Sequence, residues 1–307
     1  MLRKRKTSPK KADETTGMKI DEAALLAHLR TRVKGQDAIL EDLVKLIHLQ
    51  AAKKQKDKPI ASLLFLGPYG TGKAELAKAI AEYLFKDEKA MLRYDCSELG
   101  GPEAKTRLIG TPTGYFGSEQ GGTLTRPVMA NPRRLILFDE IEYAYPPVFD
   151  LFLQLLGEGR LTEQGSGKVA NYTQCLVILT SKAHAEGELA EAKNFRPEIL
   201  GLIDKVYVFK PLEGMVVAEI ALLKIAKIAR QYGLEVHFIA PERILQALIA
   251  NEKVKRFGIR ELARIVDELF ANQFIEAKEA GAKKVDVVVG EGGSVQIRPA
   301  SEADPPS

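Results

Sequence analysis

The fold is decided by one stretch in which an apolar run leads directly into a glycine-rich run: Ile60-Ala61-Ser62-Leu63-Leu64-Phe65-Leu66, then Gly67-Pro68-Tyr69-Gly70-Thr71-Gly72-Lys73-Ala74. The apolar run is short and continuous and ends at Gly-Pro, which is typical of a buried strand. Residues 74–85 have the pattern of a helix. A strand, a glycine-rich loop and a helix in this order are the context that a phosphate-binding loop requires.

We predict that residues 67–74 bind the phosphates of a nucleotide. The glycines let backbone N–H groups point inward, the helix N-terminus adds partial positive charge, and Lys73 neutralises the phosphates. The alternative is an ordinary glycine-rich turn. The last position, Ala74, lacks the hydroxyl with which serine or threonine ligates Mg²⁺ in this motif. We therefore expect Mg²⁺ to be held by the phosphates, by water and by Asp139.

A second apolar run, residues 135–138, ends in the two carboxylates Asp139 and Glu140. If this run forms a parallel strand adjacent to residues 60–66, the two acids lie beside the phosphates. We predict that Asp139 orients the magnesium shell and that Glu140 polarises the attacking water. Acids that end a strand are common, but this pair after a phosphate-binding loop is not.

Helices and strands alternate as far as Pro211, which predicts an α/β fold with a parallel sheet between helices on both faces, a three-layer αβα domain. Beyond it three helical stretches, a short strand-like piece and a hairpin are predicted, at 213–232, 241–251, 259–280, 236–239 and 285–297. We predict four segments: a disordered basic tail (1–18), a large nucleotide-binding domain (19–211), a smaller, mainly helical domain with a β hairpin (212–300) and a disordered tail (301–307).

The composition and charge restrict the classes of function. No apolar run approaches the roughly 20 residues of a membrane span, and the N-terminus lacks the apolar stretch of a secretory signal, so we expect a cytoplasmic protein. The formal charge of +4 becomes −2 once the six basic side chains of residues 1–11 are set aside. A nucleic-acid-binding face is therefore not expected. The tail could dock on an acidic partner, membrane lipid or nucleic acid, or remain solvated.

Further runs resemble the AAA+ module of the ClpA/ClpB family, especially its second ATPase ring, over about residues 20–300 as a single module. They are Arg32-Val33-Lys34-Gly35-Gln36-Asp37, Arg107-Leu108-Ile109-Gly110, Gly114-Tyr115-Phe116-Gly117, Gly121-Gly122-Thr123-Leu124-Thr125, Gly159-Arg160-Leu161-Thr162, Phe195-Arg196-Pro197-Glu198 and Gly258-Ile259-Arg260-Glu261-Leu262. The resemblance implies the AAA+ fold with a small lid domain, ATP or ADP with Mg²⁺ as ligands, a hexameric ring and a protein client.

The resemblance also implies roles for single residues. The backbone of Val33, Lys34 and Gly35 would bracket the adenine, and Arg260 would lie near the sensor-2 position of the lid. Tyr115 and Phe116 would form the loop that lines a central pore and grips an unfolded chain. The alternative for the two aromatic residues is a pair of loop side chains that pack against a neighbour.

Three positions depart from the family pattern. Ala74 replaces serine or threonine, Lys182 stands at the sensor-1 position where the family has asparagine, and Leu202 stands where the arginine finger is expected. A finger is worth about 10³–10⁵ in turnover in other phosphoryl-transfer enzymes. Arg196 lies upstream, although the family has an arginine there too. Lys182 could pair with the γ-phosphate or with Glu140, but it would not reproduce the amide geometry.

These departures leave two main hypotheses. The chain is an ATP-dependent unfoldase or remodeller whose hydrolysis is weak or depends on a partner, such as an active paralogue in a mixed ring that supplies an arginine. Alternatively, it is a nucleotide-gated scaffold that binds ATP without significant hydrolysis. A nucleic-acid remodeller that uses the basic tail is the least favoured reading.

Overall fold

A computed structural model describes residues 19–53, 57–192, 195–213, 215–239, 259–289 and 295–300. In these residues the helices are α1 (Glu22–Arg32), α2 (Asp37–Ala51), α3 (Lys73–Phe85), α4 (Ala104–Ile109), α5 (Thr125–Ala130), α6 (Pro146–Glu158), α7 (Glu186–Ala190), α8 (Met215–Gln231) and α9 (Ile259–Glu279). The strands are β1 (Ala61–Leu66), β2 (Met91–Asp95), β3 (Leu135–Asp139), β4 (Arg160–Thr162), β5 (Val169–Asn171), β6 (Leu176–Thr180), β7 (Lys205–Val208), β8 (Glu235–Ile239), β9 (Lys284–Val289) and β10 (Val295–Pro299). The predicted tails and the predicted helix at 241–251 lie outside the described residues.

The main sheet has five strands in the order β2-β3-β6-β1-β7, and all four pairings are parallel. Parallel pairing brings the carboxyl ends of all five strands to one edge, so the predicted α/β class is confirmed. The expectation that the strand before Asp139 is adjacent to β1 is wrong. Strand β6 lies between them, with Thr180 opposite Phe65, because its apolar side chains can be buried on both faces in the centre of the sheet.

Side chains that alternate along the strands build two cores. In β1, Leu63 and Phe65 face a core formed with helices α1, α2 and α3, whereas Leu64 and Leu66 face a core formed with α6. Successive side chains of a strand point to opposite faces, which explains the division. On the second face the rings of Phe138 and Phe152 lie 4.5 Å apart between centroids. The three-layer arrangement predicted from the sequence is confirmed.

A smaller group of elements follows the main sheet. Helices α8 and α9 pack together and against a three-stranded sheet of order β10-β9-β8. The predicted hairpin is confirmed, since β9 and β10 pair antiparallel with Val289 opposite Val295. The strand-like piece joins it as β8, parallel to β9, a pairing the sequence analysis did not foresee. The domain boundary at residue 211 stays a prediction.

Two other observations bear on the predictions. The short hairpin of β4 and β5 was missed by the sequence analysis because strands of three residues give no measurable alternation. Within the part of the chain that the structure describes, no helix is both long and apolar enough to cross a bilayer. The cytoplasmic location stays a prediction.

Candidate nucleotide-binding site

The glycine-rich loop has a shape that other residues could not easily adopt. Gly67 and Gly72 have φ angles of 124° and 100°, in the region that favours glycine. A Cβ atom at Gly67 would lie 2.5 Å from the carbonyl oxygen of Phe209, so a side chain is excluded there. The hydroxyl of the buried Thr71 donates to the carbonyl oxygen of Pro68 at 2.9 Å. The loop is therefore rigidly shaped between β1 and α3.

Lys73 begins α3 and turns its side chain back over the loop. Its ammonium donates to the carbonyl oxygens of Gly67 at 2.5 Å and Pro68 at 2.9 Å. Burial lowers the pKa of Lys73, although the nearby carboxylates of Asp139, Glu142 and Glu140 act in the opposite direction. A half-buried lysine above a glycine loop, at a helix N-terminus and facing three acids, is suited to bind phosphate.

Asp139 is held by two neighbours at the carboxyl edge of the sheet. Its Oδ1 atom accepts a hydrogen bond from the Thr180 hydroxyl on β6, and its Oδ2 atom accepts one from Arg93 on β2 at 2.6 Å. The carboxylate is 15% exposed, whereas the guanidinium is 49% exposed. Arg93 was missed by the sequence analysis, because a lone arginine in a strand gives no motif.

Glu140 follows the strand in an uncommon backbone conformation. Its φ and ψ are 57° and 54°, the left-handed region that non-glycine residues rarely adopt. Its N–H donates to the Thr180 hydroxyl at 3.1 Å. One threonine of β6 thus fixes both predicted acids, although β6 separates their strand from the phosphate loop. Burial, together with the negative charge of Glu140, raises the pKa of the Tyr69 phenol in that loop.

The segment predicted to bracket the adenine lies beside the phosphate loop. Val33 is buried, and its Cγ1 atom lies 3.5 Å from where a Cβ of Gly72 would be. A Cβ at Gly35 would lie 2.7 Å from Val216 and 3.1 Å from Leu212. The first turn of α8 therefore closes over this segment, and Lys34 lies half-buried within it.

Gln36 links the same segment to the phosphate loop. Its side-chain amide donates to the carbonyl oxygens of Lys210 at 2.9 Å and Thr71 at 3.4 Å, and its oxygen accepts from the Lys210 N–H at 3.3 Å. Gln36 is only 4% exposed. Arg260, the predicted lid residue, belongs to α9, but its side chain lies outside what the structure describes.

Comparison with known proteins agrees with this geometry. Residues 58–208 match the family model described as "AAA domain (Cdc48 subfamily)". The chain is similar to "Chaperone protein ClpB" of Corynebacterium diphtheriae, with 37% identity over 262 residues that cover 83% of this chain and 31% of that protein. It is also similar to "Chaperone protein ClpB" of Mycobacterium bovis, with 37% identity over 285 residues, or 90% of this chain and 32% of that protein.

The chain belongs to the AAA+ family, as a module of the Clp type. It spans about a third of the length of these curated relatives. The family implies a nucleotide and, usually, Mg²⁺ as ligands. The activity of the whole ClpB relatives is therefore assigned to this AAA+ module only as a proposal.

The residues present fit a nucleotide better than they fit Mg²⁺. The loop, Lys73 and the start of α3 suit phosphate groups. Ala74, in contrast, packs its methyl group against the apolar core of α1–α3 and offers no ligand. Both oxygens of Asp139 have protein donors. Within the described ranges no group of three or more His, Cys, Asp or Glu side chains has the geometry to hold a metal.

Glu142 is a third acid of the AAA+ site, and the sequence analysis overlooked it. Its Oε1 atom accepts the backbone N–H of Lys182 at 3.2 Å, whereas its Oε2 atom is buried and no donor of the described residues reaches it. A buried carboxylate oxygen has a strong demand for a hydrogen bond. Glu142 is therefore placed to accept from water or from hydrated Mg²⁺ near Lys73.

Two of the altered positions, Lys182 and Leu202, make contacts with other residues of the chain. The ammonium of Lys182 donates to the Tyr143 hydroxyl and lies 4.7 Å from the centroid of that ring. The predicted pairing of Lys182 with Glu140 is not among these contacts. Leu202 is half-buried against the second core and lies near Gly157 of α6.

Arg196, the nearest arginine upstream of Leu202, is already paired. Its guanidinium binds Asp150 of α6 at 2.6 Å and lies 3.6 Å from Glu198. The arginine that the family pattern keeps at this place is thus engaged within its own chain.

The loop that carries Tyr115 and Phe116 projects from the AAA+ module. The two residues are 70% and 100% exposed, so the alternative of packing against a neighbour within the described chain is excluded for Phe116. At its base the loop meets the turn after β4: Thr113 donates to the carbonyl oxygen of Gly165 at 2.9 Å. The base of the aromatic loop, its stem at Thr113, is therefore fixed to the turn after β4.

Glu163 is the main anchor of that stem. It is 2% exposed, and its carboxylate accepts the N–H groups of Ser166 at 2.6 Å, Gly165 at 3.1 Å, and Gly122. Burial by itself would raise the pKa of Glu163, but these hydrogen bonds outweigh it and hold the pKa below its usual range. A Cβ at Gly110 would lie 2.2 Å from this carboxylate. The turn 163–168 and the aromatic loop thus share one carboxylate.

We predict that Glu163→Gln lowers the free energy of unfolding by about 1–3 kcal/mol, because the amide NH₂ group would face backbone donors. Since the pKa of Glu163 is lower in the folded state, its contribution is present above the pKa of the unfolded chain. It is lost as the pH falls through the folded-state pKa. Urea unfolding at neutral pH tests the first point, with exposed Glu119→Gln as the control. Cleavage of the variant by chymotrypsin after Tyr115 or Phe116 should also accelerate. Equal stability of the two variants would contradict the prediction.

Proposed function

We propose that the chain binds ATP and ADP with Mg²⁺ at residues 67–74 and acts as a Clp-type remodelling module on a protein client, with hydrolysis that is weak or depends on a partner. The observation that carries the proposal is the ammonium of Lys73, which lies on the glycine loop and within electrostatic reach of Asp139, Glu140 and Glu142. The likeness to the ClpB chaperones supports the class of function.

Each side chain would have a separate task. The backbone of residues 67–72 and Lys73 would hold the phosphates, and the bracket of Val33, Lys34 and Gly35 would hold the adenine. Asp139 and Glu142 would orient the hydrated Mg²⁺, which neutralises the phosphate charge when bound. Glu140 would take the proton of the attacking water. Arg260 of α9 would reach the nucleotide from the lid.

Weak hydrolysis follows from what surrounds these residues. Leu202 cannot supply the positive charge of an arginine finger, and Arg196 is held by Asp150. Lys182 bonds Tyr143 instead of positioning water. An arginine would then have to come from elsewhere, either from an activating partner or from an active paralogue in a mixed ring. We propose a hexameric ring, on the likeness to the Clp family.

The alternative is a nucleotide-gated scaffold that binds ATP and hydrolyses little or none. The contact of Lys182 with Tyr143 and the packing of Leu202 near Gly157 favour it, because both altered side chains have structural partners of their own. Under this reading the nucleotide would control the closure of α8 and α9 over the loop. Turnover measurements separate the two functions.

We propose that the client is an unfolded protein segment that contacts Tyr115 and Phe116. Two exposed aromatic rings on a glycine-flanked loop can bind apolar side chains of many sequences. A nucleic-acid client is disfavoured, because the chain without residues 1–11 has a formal charge of −2.

The nucleotide site is tested by Lys73→Ala. We expect at least a roughly tenfold loss of ATP affinity, because a charge-assisted contact to phosphate is lost. Isothermal titration with Mg-ATP measures it. Lys89→Ala removes the same charge from an exposed position just before β2 and should bind like the wild type. Equal affinities of all three proteins would refute the site.

Turnover is tested by phosphate release from wild type, Glu140→Gln and Leu202→Arg. We expect slow phosphate release by the wild type and none by Glu140→Gln. Leu202→Arg should release phosphate at least about tenfold faster, because its arginine finger can reach the nucleotide of a neighbouring copy. Leu202→Gln is the matched control, since it loses the same apolar packing without adding charge. If no variant hydrolyses ATP that it demonstrably binds, the scaffold function replaces the remodeller.

The client loop is tested by the double change Tyr115→Ala and Phe116→Ala. Fluorescence anisotropy of labelled casein, an unfolded probe, should show at least about tenfold weaker binding in the presence of ATP, because the exposed apolar area is removed. The control is Leu49→Ala, which removes an exposed apolar side chain, 65% accessible, from α2. Casein binding that is unaffected by the double change would exclude Tyr115 and Phe116 as the client-binding residues.

A further inference from the structure

A cavity of about 640 Å³ lies at the amino edge of the main sheet, and its volume is within the range of about 300–1,000 Å³ that is typical of ligand sites. Its walls come from the end of α3 and from the segments that precede α1, β2 and β3. The sheet fixes this position, because Met91 and Leu135, the first residues of β2 and β3, are paired. The phosphate loop instead follows the carboxyl end of β1. The cavity and the candidate nucleotide site are therefore at opposite edges of the sheet.

The charged side chains around the cavity are predominantly basic. They include Lys19, Lys86, Arg133 and Arg134, whereas Asp87 is the one carboxylate among the described residues that line it. That carboxylate is already engaged, since it accepts a backbone N–H of the short helical turn that follows it at 2.8 Å. A concave surface lined by one sign of charge focuses the electric field and raises the local concentration of opposite charge.

These four cations lack carboxylate partners. Among the described residues none of them is ion-paired, whereas Arg30, Arg107 and Arg196 on other surfaces each pair with an acid of the chain. One unpaired surface cation is ordinary, because water solvates it, but four around one concavity repel one another. A ligand with several negative charges relieves that repulsion, so the cavity is complementary to such a ligand.

Three of the polar side chains in the wall have defined surroundings. The Lys86 ammonium lies 4.6 Å from the centroid of the Tyr83 ring, and Nε of Arg134 donates to a main-chain carbonyl oxygen of α5 at 3.3 Å. The side-chain oxygen of Asn131 accepts the N–H of Arg133 at 3.0 Å, which leaves the NH₂ group of Asn131 as a donor. The cavity thus presents N–H donors to a ligand, and carboxylate oxygens are the acceptors in proteins that match them.

We propose that this cavity is a docking site for an acidic segment of a partner protein, a stretch rich in aspartate and glutamate. Its carboxylates bind Lys86 and the two guanidinium groups of Arg133 and Arg134. The aliphatic parts of its side chains contact Ile20 and Leu84, which are buried apolar residues of the wall. The site does not require ATP at residues 67–74, so the inference goes beyond the proposed function and stands or falls without it.

The basic N-terminal tail favours a chain of carboxylates over a single small anion. Lys19 lines the cavity, and the six basic side chains of residues 1–11 precede it in the sequence. Lys11 is eight residues from Lys19, so chain geometry allows at most roughly 30 Å between them. A small anion occupies only the cavity, whereas an acidic segment longer than the cavity also reaches the charges of the tail.

The charges elsewhere favour a protein over a nucleic acid as the ligand. A nucleic-acid strand is bound along a continuous groove of cations that follows its backbone. Outside the cavity, arginines of the described surface such as Arg30, Arg107 and Arg196 are paired with acids, and the chain without residues 1–11 has a formal charge of −2. The unpaired positive charge is thus concentrated in one concavity and the tail beside it.

The test is charge reversal at two exposed positions of the cavity in the full chain, Lys86→Glu together with Arg133→Glu. Fluorescence anisotropy of fluorescein-labelled octaglutamate, without ATP and at low ionic strength, should show at least about tenfold weaker binding by this double variant than by the wild type. The reason is that two attractive contacts become repulsive. Binding by the wild type should weaken as salt is added, because salt screens exposed charges.

The matched control is Lys227→Glu together with Lys278→Glu, which makes the same change in net charge at exposed positions of α8 and α9 outside the cavity. This control should bind octaglutamate like the wild type. The neutral pair Lys86→Gln with Arg133→Gln should show an intermediate loss, and it guards against misfolding of the reversed pair. Equal affinity of the wild type and both cavity variants overturns the proposal, and so does an equal loss in the cavity variants and the control.

Two further measurements separate the cavity from other sources of binding. A chain that lacks residues 1–11 should still bind octaglutamate, with a smaller affinity that remains sensitive to Lys86→Glu and Arg133→Glu. Complete loss of binding in the shortened chain assigns the peptide to the tail alone and overturns the proposal. Labelled oligothymidylate that binds the cavity as tightly as octaglutamate does, and loses as much in the double variant, overturns the assignment to a protein segment.

Discussion

The hydroxyl of Thr180 is the contact on which the geometry of the site depends. It donates to Asp139 and accepts the N–H of Glu140, and it lies at the end of the strand between β1 and β3. The phosphate loop and the two acids are therefore not neighbours in the sheet. Their strands, β1 and β3, each lie one strand spacing, about 4.8 Å, from β6. That spacing leaves room for a phosphate group between Lys73 and the carboxylates.

The arrangement is possible because the central strands are buried on both faces. Every side chain of β1 and β6 is buried, so neither strand can move to an edge without exposing apolar surface. The polar residues are confined to the carboxyl ends, where the chain leaves the sheet. The same constraint that stabilises the fold thus collects Lys73, Asp139, Glu140 and Thr180 at one edge.

The sequence predicted the class of fold, which is confirmed, and the site residues Lys73, Asp139 and Glu140, which stay a prediction, because both depend on local patterns. The glycine-rich loop needs positive φ angles at fixed positions, which glycine residues mark in the sequence. Buried parallel strands appear in the sequence as continuous apolar runs. The insertion of β6 between β1 and β3 was not predictable in this way, since strand order depends on contacts distant in sequence. Glu142 and Arg93 escaped for the same reason, because each acts through a partner from another strand or loop.

Under the proposed function, the altered positions would keep a binding site while its catalytic contacts are reassigned. Nucleotide binding needs the loop backbone and Lys73, which are held by covalent geometry and by the fold. Hydrolysis needs side chains free to meet water, and here Lys182 bonds Tyr143 and Leu202 packs near Gly157. The contact of Lys182 with Tyr143 lies outside the buried strands, so it could change without cost to the core. A module of this kind is expected to be controlled by whatever brings an arginine to the phosphates.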